Sequence, residues 1–200
     1  MTSETAADTA NIDAMTPDEL RAEVARLREK LIRAEWTVAE LEERADADSM
    51  LDVLNRRGFE RELARSIAFV KRYGTPAVLM YIDLDGFKTI NDRYGHAAGD
   101  VLLKAVVADL VHNLRASDVV GRLGGDEFGA VLWNTQPSQA AAKAESLELL
   151  VARVAVEYEG LTLTCGASAG VVALDPASSP AAMIGAADKA MYARKRERRG

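Results

Sequence analysis

Arg122-Leu123-Gly124-Gly125-Asp126-Glu127-Phe128-Gly129-Ala130-Val131-Leu132 sets two glycines and two carboxylates between short apolar runs. Val119-Val120 precedes it and Trp133 closes the apolar run. Two glycines between β-prone runs predict a tight hairpin with a primed two-residue turn, which needs positive φ. The bare Gly-Gly backbone also lets a ligand approach closely. Asp126 and Glu127 on such a tip repel each other and gain nothing from packing. A cation is therefore expected there, most simply a metal ion with oxygen ligands. Taken alone, the same letters also describe an ordinary solvated turn.

Working outward, Ala77 to Ile82 is a continuous apolar run of buried-strand length. It ends in Asp83-Leu84-Asp85-Gly86-Phe87-Lys88, and an aspartate there is costly to bury unless it is paired or holds a cation. Asp83 alone would also serve as a helix cap after the strand. Thr89 to Asp100 reads as a polar loop or short helix closing on a glycine, and Asp100 opens a helix ending near Arg115. Beyond the hairpin, a helix is predicted from Ser138 to about Val154. Leu161 to Leu174 forms one strand, or two broken at Gly166 and Gly170, and a last helix covers Pro180 to Arg196. Upstream, Asn55-Arg56-Arg57-Gly58-Phe59 leads an amphipathic helix to about Tyr73, stopped by Gly74-Thr75-Pro76. This alternation predicts an α/β fold with helices packed on a mixed sheet.

The first 47 residues read differently. Residues 1–15 have no periodicity and are expected to be disordered. Thr16-Pro17-Asp18-Glu19 is a helix start with a capping box. From there Leu20, Val24, Leu27, Leu31, Ala34, Val38, Leu41 and Ala45 recur in alternating steps of four and three. That narrow heptad seam over residues 16–47 predicts a coiled-coil homodimer, with β-branched and Leu positions leaning toward parallel strands. A single helix folded back on its own domain is the other reading. Charge follows the same division: of a net −6, residues 1–50 carry 13 acidic and 6 basic side chains, and the remainder is near neutral. Six basic residues crowd into Lys189 to Gly200, which suits one polyphosphate better than a coated nucleic acid. The same residues also suit a solvated helix end. The lone Cys165 excludes an internal disulfide and fits a reducing interior, and no stretch is apolar enough to span a membrane. A cytoplasmic protein is expected.

Gly124-Gly125-Asp126-Glu127-Phe128 spells the signature of GGDEF domains, and residues 48–199 resemble that family in five separated segments. The element order resembles the ferredoxin-like sheet of nucleotidyl cyclases. Asp48, Asn55, Arg56 and Arg57 match the family's entry segment, although Leu51-Asp52 stands where Thr-Gly is usual. The resemblance implies a diguanylate cyclase, condensing two GTP into cyclic di-GMP between two protomers. It implies Mg²⁺ (or Mn²⁺), two per active site, held by Asp83, the Leu84 carbonyl, Asp126 and Glu127, with Asp126 or Glu127 helping to activate the attacking hydroxyl. A pair of such ions about 4 Å apart can do both jobs. Asn91 and Asp100 stand at the family's guanine-contacting positions. Phe87 and Lys88 lie in a turn whose amides and ammonium suit phosphates. Lys195 and Arg199, four apart on one helix face, stand at phosphate-binding positions, with Arg194 and Arg198 replacing the usual Ala and Gly. Arg115-Ala116-Ser117-Asp118 matches the RxxD motif of the inhibitory product site. A silent receptor of cyclic di-GMP, signalling through the coiled coil, is the alternative.

Overall fold

A computed structural model describes residues 15–197, with the backbone alone between 38 and 44. The chain divides into two units, Met1–Ala45 and Asp46–Gly200. In the first, helix α1 (Pro17–Asp46) begins with the predicted capping box. The Thr16 amide donates to Glu19 Oε2 at 2.8 Å, and the Glu19 amide donates back to Thr16 Oγ1 at 3.4 Å. The seam residues Leu20, Val24, Leu27 and Leu31 are 36% to 59% exposed and form an apolar stripe along the helix. The seam's Val38 and Leu41 side chains, the stretch 1–14 and Arg199 lie outside the described residues.

The second unit is built around strand β1 (Ala77–Asp85). It is followed by helices α3 (Phe87–Tyr94) and α4 (His96–His112), strands β2 (Val119–Arg122) and β3 (Glu127–Trp133), and helix α5 (Pro137–Val151). A small hairpin of β4 (Val156–Tyr158) and β5 (Leu161–Leu163) leads to β6 (Gly166–Ala173) and the last helix, α6 (Pro180–Glu197). Helix α2 (Arg56–Tyr73) precedes β1, capped by Asn55, whose side chain accepts from the Gly58 amide. The four-stranded sheet runs β2-β3-β1-β6 with antiparallel ladders, and one parallel bridge, Leu54 to Gly121, adds the entry segment at the β2 edge. Counting sheet strands alone, this is the 2-3-1-4 order of a ferredoxin-like βαββαβ unit with helices packed on it, the predicted class of fold.

Strand β1 is buried on both faces because each face meets its own layer. Val78, Met80, Ile82 and Leu84 join the core under α4 and α5, whereas Ala77, Leu79 and Tyr81 join a second core with Phe59, Leu63 and Met191 of α2 and α6. Three glycines set how closely that second layer approaches. Gly121 and Gly129 are cross-strand partners, and a Cβ on either would lie 2.6 Å or less from the Phe59 ring or its Cβ. A Cβ on Gly170 would lie 2.1 Å from the Met191 amide nitrogen, so α6 rests its backbone on β6.

Several boundaries differ from expectation. Gly170 does not break a strand; it sits inside β6 because the helix needs its bare face. The chain leaves the sheet at Thr164 and Cys165 instead. Strand β4 was not predicted: Val156-Glu157-Tyr158 is too short for a periodicity, and its turn uses positive φ at Glu159 (49°) and Gly160 (79°). Asp100 does not open α4, since that helix starts at His96 after Gly95, whose φ of 84° separates it from α3.

Candidate active site

The Gly-Gly turn is a correction to the sequence reading. Neither Gly124 nor Gly125 has positive φ, so the hairpin tip is not a primed two-residue turn. Leu123 and Gly124 both donate to the Glu127 carbonyl, at 2.8 and 3.3 Å, closing a wider loop. Cations and one amide hold its carbonyls. Arg56 Nη1 donates to the Leu123 carbonyl at 3.1 Å, and Arg122 donates to those of Gly124 and Gly125 at 3.0 and 2.7 Å. The Leu84 amide donates to the Asp126 carbonyl at 3.1 Å. These contacts fix the tip against the end of β1, and they replace the local turn geometry that a free hairpin would need. Gly124 leaves room for another group: a Cβ there would fall 2.3 Å from Glu127 Oε2, which folds back over it.

The same alternation that puts Ala77, Leu79 and Tyr81 under α6 carries Asp83 and Asp85 onto that face. Asp83 is the cross-strand partner of Glu127. From the last turns of α6, Lys195 donates to Asp83 Oδ1 at 2.5 Å and lies 2.5 Å from Asp85 Oδ1. Asp85 is braced in turn by the buried Ser168 of β6, whose hydroxyl donates to Oδ2 at 2.7 Å. Burial and the charge of Asp83 push the Asp126 carboxyl above its usual range, against the pull of Lys195 and Arg122. Burial alone would lower the Lys195 ammonium, but its bonds to Asp83 and Asp85 outweigh that and raise it. Burial, a hydrogen bond to Glu127 and its charge raise the Tyr81 phenol, which therefore stays protonated beside Glu127.

Asp83, Asp126 and Glu127 are thus brought to one corner, with Leu84 beside them. With Lys195 seated there, no three acidic, His or Cys side chains among the described residues cluster closely enough to share an ion. The donor chemistry nevertheless fits a hard cation, because two carboxylates already clasp an ammonium. Asn91 of α3 lies against Gly99, the residue before Asp100, where a Cβ would be 1.9 Å from its Oδ1. Phe87 and Lys88 occupy the first turn of α3 after Gly86, with the Phe87 ring buried and Lys88 exposed. Arg115 and Asp118 stand together: Asp118 Oδ2 accepts from the Arg115 amide at 3.0 Å and Oδ1 from the Trp133 amide at 3.2 Å. They border a cavity of about 430 Å³ also lined by Asn113, Asn134, Gln139 and Lys143.

Sequence reasoning passed over Asp85, Arg122 and Tyr81. Asp85 was legible, since two residues along a strand return to the same face. Arg122 and Tyr81 were not, because their partners come from the tip itself and from across the sheet.

The profile of the family described as "Diguanylate cyclase, GGDEF domain" matches residues 45–200. This chain belongs to that family. The GGDEF domain and the helix before it are 36% identical over 190 residues to diguanylate cyclase TpbB of Pseudomonas aeruginosa, covering 92% of this chain and 41% of TpbB. Over 157 residues the chain is 38% identical to the probable diguanylate cyclase DgcE of Escherichia coli, covering 78% of this chain and 14% of DgcE. It therefore spans 41% and 14% of the length of these two curated relatives. Among solved structures, the coiled coil and GGDEF domain of DgcB from Caulobacter crescentus, in complex with c-di-GMP, superposes with a TM-score of 0.75 at 25% identity. That match covers 89% of this chain and 95% of the other. No described helix is long and apolar enough to cross a membrane.

Proposed function

We propose that this GGDEF chain condenses two GTP into cyclic di-GMP with release of pyrophosphate. The observation that carries the proposal is the Lys195 ammonium clasped by Asp83 and Asp85 at the end of β1, beside a Gly-Gly-Asp-Glu tip held by Arg56 and Arg122. In each half-reaction a ribose 3′-oxygen bonds to the α-phosphorus of the other nucleotide, and the bond from that phosphorus to the β-phosphate oxygen breaks. Pyrophosphate carries away the electron pair, and the 3′-hydroxyl proton passes to Asp126 or Glu127.

Asp83, the Leu84 carbonyl, Asp126 and Glu127 are the residues proposed to hold the divalent cations, two Mg²⁺ or Mn²⁺ per site. When bound, these ions offset phosphoryl charge and ease loss of the hydroxyl proton. The Phe87 and Lys88 amides at the start of α3, with Lys88, Lys195 and Arg199, are assigned to the phosphates. Asn91 and Asp100 accept from the guanine N1–H and N2–H₂ edge, and adenine would leave them unpaired.

One protomer holds half of the reactants, so turnover needs a pair. The exposed Leu20-Val24-Leu27-Leu31 stripe supports pairing through residues 16–47, which raises the local concentration of the two halves. Arg115 and Asp118, beside their cavity, are proposed to bind the product and slow the enzyme. The lone cysteine, which forms no internal disulfide, supports a reducing compartment, and a cytoplasmic reaction is proposed. The test is incubation of purified protein with GTP and Mg²⁺ over a range of protein concentrations, with product resolved by chromatography. Product that rises faster than linearly with protein is expected. No product at any concentration would overturn the reading in favour of a cyclic di-GMP receptor.

A further inference from the structure

Lys195 sits where a cation of the proposed reaction belongs. Its ammonium is 2.5 Å from oxygens of both Asp83 and Asp85, and about four-fifths of all three side chains' surface, or somewhat less for Asp85, is hidden from water. Screening there is weak, so the pair is stronger than an exposed one. The two acids are not equivalent. Asp85 is fixed by Ser168 from the neighbouring strand, whereas Asp83 faces the hairpin acids. The position of Lys195 is set by the backbone of α6 resting on Gly170 one turn earlier. Its neighbour Arg194 reaches the other way, to Glu145 and Glu148 of α5 at 3.5 Å.

We propose that Lys195 is an internal counter-ion of this carboxylate pair, held within reach by the Ser168-braced Asp85, so that a divalent cation enters only together with nucleotide. This rests on the reading that the site takes a divalent cation with GTP. A cation arriving alone must take Asp83 from an ammonium at hydrogen-bond distance and leave that ammonium half-paired in a partly buried place. A cation arriving with a triphosphate brings the anion that Lys195 then needs. Asp85 retains its hold meanwhile and keeps Lys195 pointed at the site. Asp85 and Ser168 are positioning residues in this scheme, acting through Lys195.

The experiment measures Mn²⁺ affinity from the paramagnetic signal of the free ion, with and without a non-reactive α,β-methylene analogue of GTP, the Mn²⁺ held by the analogue in the absence of protein being measured separately and subtracted. Without nucleotide, Lys195→Met should bind Mn²⁺ roughly tenfold tighter than wild type, the value of one charged hydrogen bond removed. Lys195→Arg should stay close to wild type, and so should Arg194→Met. The analogue should tighten Mn²⁺ binding more in wild type than in Lys195→Met. Wild type is informative without any substitution: equal Mn²⁺ affinity with and without the analogue would overturn the inference. So would a Lys195→Met affinity no tighter than wild type, or an equal gain in Arg194→Met. If these failures occur while wild type still makes product from GTP, the counter-ion idea falls and the cyclase reading stands. If no protein binds Mn²⁺ even with the analogue, both fall.

Discussion

Gly170→Ala is the substitution that tests most directly how the fold sets the site. The new methyl would lie 2.1 Å from the Met191 nitrogen, 2.5 Å from the Ala187 oxygen and 2.6 Å from the Met191 Cα. All three are backbone atoms, so no rotamer change relieves the overlap. Bringing the closest contact to an ordinary 3.4 Å lifts α6 by about 1.3 Å. One turn further on, the 2.5 Å contacts of Lys195 would open to roughly 3.8 Å, beyond hydrogen-bond range. Overpacking of this kind costs about 1–3 kcal/mol. For a unit of this size that lowers Tm by about 2–12 °C. A displacement near 1 Å in a reactive site costs on the order of 10²-fold in turnover. The assay is a thermal melt followed by circular dichroism, paired with product formation from GTP at a temperature where the variant is folded. A melt within about a degree of wild type, with full turnover, would refute the claim that α6 rests on bare backbone at Gly170.

Other expectations follow from single contacts. In Gly124→Ala the clash is with the end of a flexible side chain, so stability should change by under about 1 kcal/mol. Turnover should fall clearly, because Glu127 is pushed from its place; unchanged turnover would remove Glu127's folded-back position from the mechanism. Burial, with a smaller push from Asp85, raises the Cys165 thiol to about 11. At pH 8 only about one part in a thousand is thiolate, so alkylation by iodoacetamide should be slow in the native protein, quicken as pH rises toward 11, and become fast in urea. Fast native labelling at pH 8 would contradict the buried placement. Arg115→Ala should relieve inhibition by cyclic di-GMP without abolishing turnover, read from progress curves with added product. Removal of residues 1–44 should lower activity most at dilute protein. The cut stops there because Asp46, 1% exposed, is clasped by Arg57 at 2.8 Å and by Arg61. An equal loss at all concentrations would argue against pairing through α1.

The sequence by itself determined the elements with strong local signals. The capping box at Thr16 and Glu19, the amphipathic helix led by Asn55 and Arg56 and the apolar run of β1 each follow from neighbours a few residues apart, and each appears in the structure. The acidic character of the site was also legible, because the carboxylates after a buried strand and those after the paired glycines, each ambiguous alone, point together to a cation. Tertiary structure alone decided the form of the hairpin tip, since Arg56 and Leu84 come from distant stretches and the guanidiniums substitute for a primed turn. It alone decided what Gly121, Gly129 and Gly170 are for, because the Phe59 ring and the α6 backbone that press on them lie 17 to 70 residues away in sequence. It alone set Lys195 between Asp83 and Asp85, across a sequence separation of 112 residues. Local patterns record backbone preference and burial, whereas ion pairs of this reach depend on which faces the completed sheet and its last helix bring together.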